Sequence, residues 1–275
     1  MNDRFVSAPT ILSLLFATVL FASTAASQDL RLVTSAAEND SLAVSALLAE
    51  DGVDVNATRA DGATALLWAA HWDNVEMAKQ LLKTGANVNA PDDHGVTALE
   101  RAAENTSVTM TTLLLAAGAD PNASQASGMS PLMTAARTGN VHVLDALISH
   151  GANVNAETSE TRSTALMWAV TAPHPDAVHL LLDAGANAQA STAKGFTVLM
   201  YAANNGDIEM AKLLLTAGVD VNQVGLDGTH TLPYAIARGQ DKFALFLLEH
   251  GADPNGAMEG IRALHAAAGN TRMWL

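Results

Sequence analysis

A glycine recurs about every 33 residues along this 275-residue chain, and no other feature constrains the fold as strongly. The glycines are Gly52, Gly85, Gly118, Gly151, Gly185, Gly218 and Gly251. Each is followed by a similar short tail, which reads GANVNA after Gly85 and again after Gly151. A fixed period in this range indicates stacked supersecondary units, because one such unit is too small to bury its own apolar face.

A second block lies 21 residues before most of these glycines and has the composition of a helix start. It reads TALLWAA from Thr64, SPLMTAA from Ser130 and TALMWAV from Thr164. A leading Thr or Ser can accept a hydrogen bond from a free amide of the first helical turn. The later glycine favours the left-handed conformation that ends a second helix. Each unit is therefore predicted to be a helix, a tight turn, an antiparallel helix and an extended turn.

These two blocks resemble the ankyrin repeat, in which a Thr-Pro-Leu-His start and a Gly-Ala-Asp-Val-Asn-Ala tail recur. The resemblance covers residues 28–275 and implies an all-α ankyrin-repeat solenoid of about seven and a half units. The units are expected at residues 28–57, 58–90, 91–123, 124–156, 157–190, 191–223 and 224–256, with a partial unit at 257–275. Because the chain stops inside this last unit, we expect it to be a fragment of a longer protein, or to end in a helical stub.

The family's histidine after the leucine survives only at His265. The same slot elsewhere holds Leu67, Glu100, Met133, Met167, Met200 and Pro233. The resemblance implies that this histidine links repeats by hydrogen bonds, so we expect methionine packing to replace most of those bonds. The leucine before the slot is predicted to form one buried column. Its members are Leu66, Leu99, Leu132, Leu166, Leu199, Leu232 and Leu264.

The fifth unit departs most from the repeat. It has one extra residue between Gly151 and Thr164, and Arg162 stands where the other units have a turn glycine. Pro173 and Pro175 flank the position of its inter-helix turn, and proline suits the first position of a helix. We expect this unit to form a bend or a recognition loop.

Residues 1–27 are predicted to be a secretory signal peptide. An apolar run from Ile11 to Ala22 is followed by small residues, with Ala25 and Ser27 before a cleavage site at Gln28. The run is short for a membrane span, which needs about 20 residues, although an uncleaved anchor is the alternative. We therefore expect an exported protein without stable membrane insertion after cleavage, located in a bacterial periplasm or otherwise secreted.

Charge and composition argue against several classes of function. The net charge of −14 disfavours binding to nucleic acid and to anionic lipid. The chain has no cysteine, which excludes thiolate catalysis and cysteine-based zinc sites. It also lacks an HExxH pair, a GxSxG elbow and a glycine-rich phosphate loop. His71 and His94 fall on the same side of adjacent units, where a solvated pair is expected. No catalytic residue, cofactor or metal is predicted.

The resemblance places a concave binding face at the residue after each turn glycine and at two residues near the end of each first helix. The first set is Ala63, Val96, Met129, Ser163, Phe196 and Thr229. We expect solvent at these positions, so the apolar Trp72, Met129 and Phe196 suggest a contact patch. The candidate partner-binding residues are His71, Trp72, His94, Glu104, Asn105, Met129, Arg137, Phe196, Asn204 and Arg238. Large residues of the first helices, namely Trp68, Trp168, Tyr201 and Tyr234, are expected to be buried between helices.

Charges on this face are acidic toward its N-terminal end and more basic further along. A partner with the reverse gradient would be oriented by it. The sequence therefore predicts a non-enzymatic protein–protein interaction scaffold. The alternative is the ankyrin targeting region of a longer exported enzyme.

Overall fold

The computed structural model describes residues 29–258 and 260–263. The predicted signal peptide, Leu264 and His265 therefore lie outside the described residues. Within them the chain forms α-helices in antiparallel pairs, one pair for each repeat unit. The prediction of an all-α ankyrin-type solenoid is confirmed, with one very short pair of strands added at the end of the described chain.

The helices follow the period of the sequence. The first helices of successive units are α1 (Arg31–Ala37), α3 (Ala65–His71), α5 (Ala98–Glu104), α7 (Pro131–Thr138), α9 (Ala165–Thr171), α11 (Val198–Asn205) and α13 (Thr231–Ala237). The second helices are α2 (Ser41–Leu47), α4 (Val75–Lys83), α6 (Val108–Ala116), α8 (Val141–Ser149), α10 (Pro175–Asp183), α12 (Ile208–Thr216) and α14 (Asp241–Glu249). The strands β1 (Ala257–Met258) and β2 (Ile261–Arg262) pair in antiparallel fashion after α14.

The solenoid has two layers of helices around one continuous core. First helices pack on neighbouring first helices, from α1 to α13, and second helices pack on second helices in a parallel row. The predicted leucine column lies between the layers and is buried throughout the described units. Its described members, Leu66, Leu99, Leu132, Leu166, Leu199 and Leu232, are all at most 2% exposed.

Helix ends form as the sequence predicts. Thr64 starts α3 by accepting a hydrogen bond from the backbone amide of Leu67, and the same cap recurs at four later units. At the end of α4, Gly85 has a φ of +94°, which residues with a Cβ rarely adopt. Its amide donates to the carbonyl of Leu82, and the next amide donates to Leu81. These bonds satisfy carbonyls that the helix leaves free.

An asparagine ladder joins the units along the extended turns. Asn155 is typical: its side-chain amide donates to the carbonyl of Gly185 at 3.0 Å, and its oxygen accepts from the backbone amide of Asn187 at 2.7 Å. The same two bonds are made by Asn56, Asn89, Asn122 and Asn222. This asparagine belongs to the tail that follows each periodic glycine. The structure shows that it links each unit to the next.

The family's histidine slot is filled mainly by buried apolar side chains, as predicted. Met133, Met167 and Met200 are each 1% exposed, and Leu67 is also buried. Glu100 is the exception in chemical type, because it places a carboxyl group in the same buried layer.

The irregular fifth unit keeps the packing of its neighbours. Arg162 has a φ of +54° and so adopts the conformation of the glycine that it replaces. Its guanidinium is held by Glu157 at 2.8 Å. Pro175 occupies the first turn of α10, where its missing amide costs no helical hydrogen bond. Helices α9 and α10 contact both neighbouring units, so the solenoid continues through this unit.

Candidate functional site

The extended turns between units fold back on themselves and project beside the first helices. We call these segments the fingers; they are residues 58–64, 91–97, 124–130, 157–164, 191–197 and 224–230. Neighbouring fingers are hydrogen-bonded at their tips, for example from the amide of Asp93 to the carbonyl of Asp61 at 3.0 Å. The fingers and the first helices together form the concave face.

The expectation that the residue after each turn glycine faces solvent is wrong for most units. Ala63, Val96, Ser163 and Thr229 are buried, and Met129 and Phe196 are half-buried. The physical reason is that the carbonyl of this residue closes the finger, as in the bond from the amide of Thr192 to Phe196 at 2.9 Å. Closure turns the side chain inward, and Met129 packs against the core.

Three rings of the second unit form the N-terminal aromatic cluster, which consists of Trp68, His71 and Trp72. The ring of His71 meets Trp68 edge-on at a centroid distance of 5.4 Å, and it meets Trp72 in the same way at 4.8 Å. The guanidinium of Arg59 lies 5.6 Å from the ring of Trp68, within the range of a cation–π contact. His71, predicted to be half of a solvated pair with His94, is exposed as expected of a solvated side chain and also packs edge-on with both indoles.

Trp72 is exposed and is also held by a hydrogen bond. It is 46% exposed, and its indole N–H donates to the carbonyl of Ala37 at 3.0 Å. Asn105, one unit later, uses its side-chain amide to donate to the carbonyls of Ala70 and His71. The amide of Asn105 therefore serves as a link between units, whereas one face of Trp72 is left for contact.

Three rings of the sixth and seventh units form the C-terminal aromatic cluster, which consists of Phe196, Tyr201 and Tyr234. Phe196 lies 5.6 Å from Tyr201 and 5.2 Å from Tyr234, between ring centroids. The hydroxyl of Tyr234 donates to the side-chain oxygen of Asn204 at 3.2 Å. Burial raises the pKa of both tyrosines. The slot shared by Trp68, Trp168, Tyr201 and Tyr234 is thus half-buried beside the concave face rather than fully enclosed.

A groove opens between the fingers of the fifth and sixth units, next to this second cluster. Its volume is about 360 Å³, and Phe196 and Tyr201 form its apolar part. Thr161, Ser163 and Thr192 also line it, as do the oppositely charged Glu160 and Lys194. A recess with an aromatic floor and a polar rim can take one apolar side chain together with polar backbone groups.

The remaining predicted residues have different surroundings. Glu104 is exposed and pairs with Arg101 at 2.7 Å, and Arg137 and Arg238 are exposed further along the face. His94 is exposed on the finger of the third unit.

The difference in charge between the two halves of the chain is modest. Residues 29–123 contain fourteen acidic and five basic residues, against twelve and six in residues 124–258.

Glu100 has an environment that sequence analysis did not anticipate. Its carboxyl group is 5% exposed, and one oxygen accepts from the hydroxyl of Thr134 and from the amide of Gln125. Its other oxygen is buried without a hydrogen-bond partner among the described residues. Burial raises the pKa of this carboxyl. The sequence signal for this site was the single acidic residue in a slot that otherwise holds leucine, methionine, proline or histidine.

Residues 29–258 and 260–263 contain no group of three His, Asp or Glu side chains placed to hold a metal ion. In the same part of the chain, no helix has the length and apolar character needed to cross a membrane.

Comparison with known proteins gives concordant results. A family model described as "Ankyrin repeats (3 copies)" matches the chain at residues 32–125, 110–192 and 174–258. Among solved structures, the chain is similar to the human ASB11 ankyrin repeat domain, with a TM-score of 0.70 and 28% sequence identity. That match covers 81% of this chain and 98% of the other. No curated protein sequence matches the chain.

Proposed function

The chain belongs to the ankyrin-repeat family, and from this premise we propose that it is a non-enzymatic scaffold that binds another protein through its concave face. Ankyrin repeats generally mediate protein–protein interaction, and solenoids of this kind present extended concave surfaces for binding. What remains to be identified is the part of the concave face, and the residues in it, that bind the partner. Function resides in such local contacts, because one fold carries many different partners.

The observation that carries the proposal is the groove beside Phe196. Buried aromatic anchors with a polar surround contribute most of the binding energy in protein interfaces. The groove offers a half-buried aromatic floor, and the charged side chains of Glu160 and Lys194 line it and can bind polar groups of a peptide. Trp72 provides a second aromatic contact on the same face, nearer the N-terminus.

Affinity capture with matched variants tests this proposal. The purified protein is immobilised and exposed to periplasmic extract of the source organism, together with a Trp72→Ala/Phe196→Ala double variant. Leu245→Ala is the control, since Leu245 is 60% exposed on the second helix α14, away from the fingers. We expect a protein retained by the wild type and by the control, and lost from the double variant. Equal retention by all three proteins would contradict a concave site.

Export to the periplasm belongs to the same proposal. The support is the sequence of residues 1–27, with its apolar run and small residues before Gln28. Cell fractionation followed by mass measurement of the intact chain tests it. We expect a periplasmic chain that begins at Gln28. A chain that retains Met1 and remains with the membrane fraction would instead indicate an anchor.

A further inference from the structure

We propose that Trp72, Glu38 and Glu104 form a docking site for a basic, extended segment of the partner, with an arginine side chain stacked on the Trp72 indole. This inference rests on the proposed function and names the chemistry of the partner at the N-terminal end of the concave face. Binding there needs no change in the fold, because the three side chains are already exposed.

The indole of Trp72 is preorganised to stack with a planar cation. Its indole N–H is fixed to the carbonyl of Ala37 at 3.0 Å, and the edge of His71 supports it at a centroid distance of 4.8 Å. The side chain is nevertheless 46% exposed. A ring that is held before binding loses little conformational freedom when a ligand stacks on it, which favours affinity.

Two glutamates lie next in sequence to residues that are hydrogen-bonded around this ring. Glu38 follows Ala37, the residue whose carbonyl holds the indole. Glu104 precedes Asn105, whose side-chain amide reaches back to the carbonyl of His71 at 2.8 Å. Both glutamates are exposed. In the proposed site, these glutamates of the preceding and the following unit supply the negative charge for a cation stacked on the indole.

The charges nearby favour a basic ligand, although not uniformly. Arg101 pairs with Glu104 at 2.7 Å and reduces its free charge, whereas Glu38 makes no ion pair within the described residues. The excess of acidic over basic residues is larger in residues 29–123 than in residues 124–258. Long-range attraction for a basic segment is therefore greatest at this end of the molecule.

The second unit already contains the interaction that we propose. Arg59 lies over the ring of Trp68 at 5.6 Å, so one indole of the cluster is covered by an arginine of the chain itself. The exposed indole of Trp72 has no such cation among the described residues. Arginine is favoured over lysine because its planar guanidinium stacks on an aromatic face and can also bind a carboxylate through two N–H groups.

Peptide binding to the purified protein tests the inference directly. The probes are fluorescein-labelled nona-arginine, nona-lysine and a neutral glycine–serine peptide of equal length, followed by fluorescence anisotropy at low and moderate salt. We expect nona-arginine to bind more tightly than nona-lysine, the neutral peptide to show no binding, and salt to weaken both basic peptides. Equal affinity for the two basic peptides would remove the stacking component and overturn the proposal.

Variants locate the binding. We expect Trp72→Ala to weaken nona-arginine binding about three- to thirty-fold, the range of a cation–π contact, and Trp72→Phe to weaken it less. Glu38→Gln should weaken it up to about five-fold, as for an exposed ion pair. Glu76→Gln is the matched control, because Glu76 carries the same charge in the adjacent second helix α4. Circular dichroism and urea unfolding establish that each variant is folded before its affinity is compared.

The outcomes separate this inference from the proposed function. If Glu76→Gln weakens binding as much as Glu38→Gln, or Trp72→Ala leaves it unchanged, attraction is general and the docking site is wrong. Even if the docking site at Trp72 is wrong, loss of protein capture by Phe196→Ala would still support the proposed scaffold function. Conversely, nona-arginine binding that depends on Trp72 while capture is indifferent to every concave variant would contradict the proposed function.

Discussion

The two aromatic clusters lie on the same concave face but present their rings in opposite ways. In the N-terminal cluster, Trp72 stands 46% exposed with its N–H bound to the preceding unit. In the C-terminal cluster, Phe196 is half-buried between two tyrosines and opens into a groove. The first offers a flat ring among acidic residues, whereas the second offers a recess.

This difference arises from which slot of the repeat carries the large residue. Trp72 occupies the C-cap of the first helix, at the rim, whereas Phe196 follows the turn glycine and is drawn inward when its finger closes. The backbone is nearly the same in both units. One scaffold therefore yields a surface contact or a recessed contact according to the slot in which a ring is placed.

Both aromatic clusters are supported by one continuous core. Leu166→Ala tests this and should cause the largest loss of stability among the variants considered. Leu166 is fully buried in the fifth unit, between the two clusters. We expect the free energy of unfolding to fall by about 2–5 kcal/mol, because the truncation leaves a cavity. Equilibrium unfolding in urea measures this. A loss below about 1 kcal/mol would mean that the column carries little of the packing.

The asparagine ladder connects the two halves, so Asn155→Ala should weaken the junction between the fifth and sixth units. It removes a donor to Gly185 and an acceptor for Asn187, for an expected loss of about 1–3 kcal/mol by urea unfolding. Gln189→Ala is the natural control. Gln189 makes only the donor half of this pattern, to Gly218, so its loss should be smaller. A larger loss for Gln189→Ala would contradict this account of the ladder.

The burial of Leu166 and the inter-unit bonds of Asn155 differ in how far the sequence alone predicts them. The burial of Leu166 and the caps at Thr64 and Gly85 follow from local periodicity, because they depend on neighbours within one unit. The reach of Asn155 to the next unit depends on the stacking distance between units, which no local pattern contains. The same limit applies to Trp72, whose bond to Ala37 also crosses a unit boundary.

The buried acid beneath the N-terminal half provides a prediction of opposite sign. Glu100→Gln should stabilise the protein by about 1 kcal/mol at neutral pH, since a neutral amide avoids the cost of burying a charge or of taking up a proton, while keeping an oxygen for Thr134. Because burial raises the pKa of Glu100, the folded protein holds a proton that the unfolded chain releases. The contribution of Glu100 to the free energy of unfolding is therefore fully present at low pH, and it is lost as the pH rises through the raised pKa of Glu100.

Urea unfolding as a function of pH measures this difference. The stability of Glu100→Gln relative to the wild type should grow as pH rises above about 4, the ordinary glutamate range, and then level off. Glu209→Gln is the control, since its carboxylate is exposed and paired with Lys212, far from Glu100. A difference that shrinks with rising pH would mean that Glu100 is stabilised as a carboxylate. The sequence showed an acid in this slot, but its unpartnered oxygen depends on how Thr134 and Gln125 pack around it.

The smallest expected effect concerns the recess itself. Tyr201 and Tyr234 are the only tyrosines in the chain, so the tyrosinate absorption band reports on this cluster alone. Both should titrate above the ordinary tyrosine range of about pH 10, because burial disfavours their charged form. Phe196→Ala admits water beside both rings and should lower their pKa values, whereas Trp72→Ala should leave them unchanged. If the second variant shifted the tyrosines as much as the first, the two clusters would not be independent, and the contrast between a surface contact and a recess would fail.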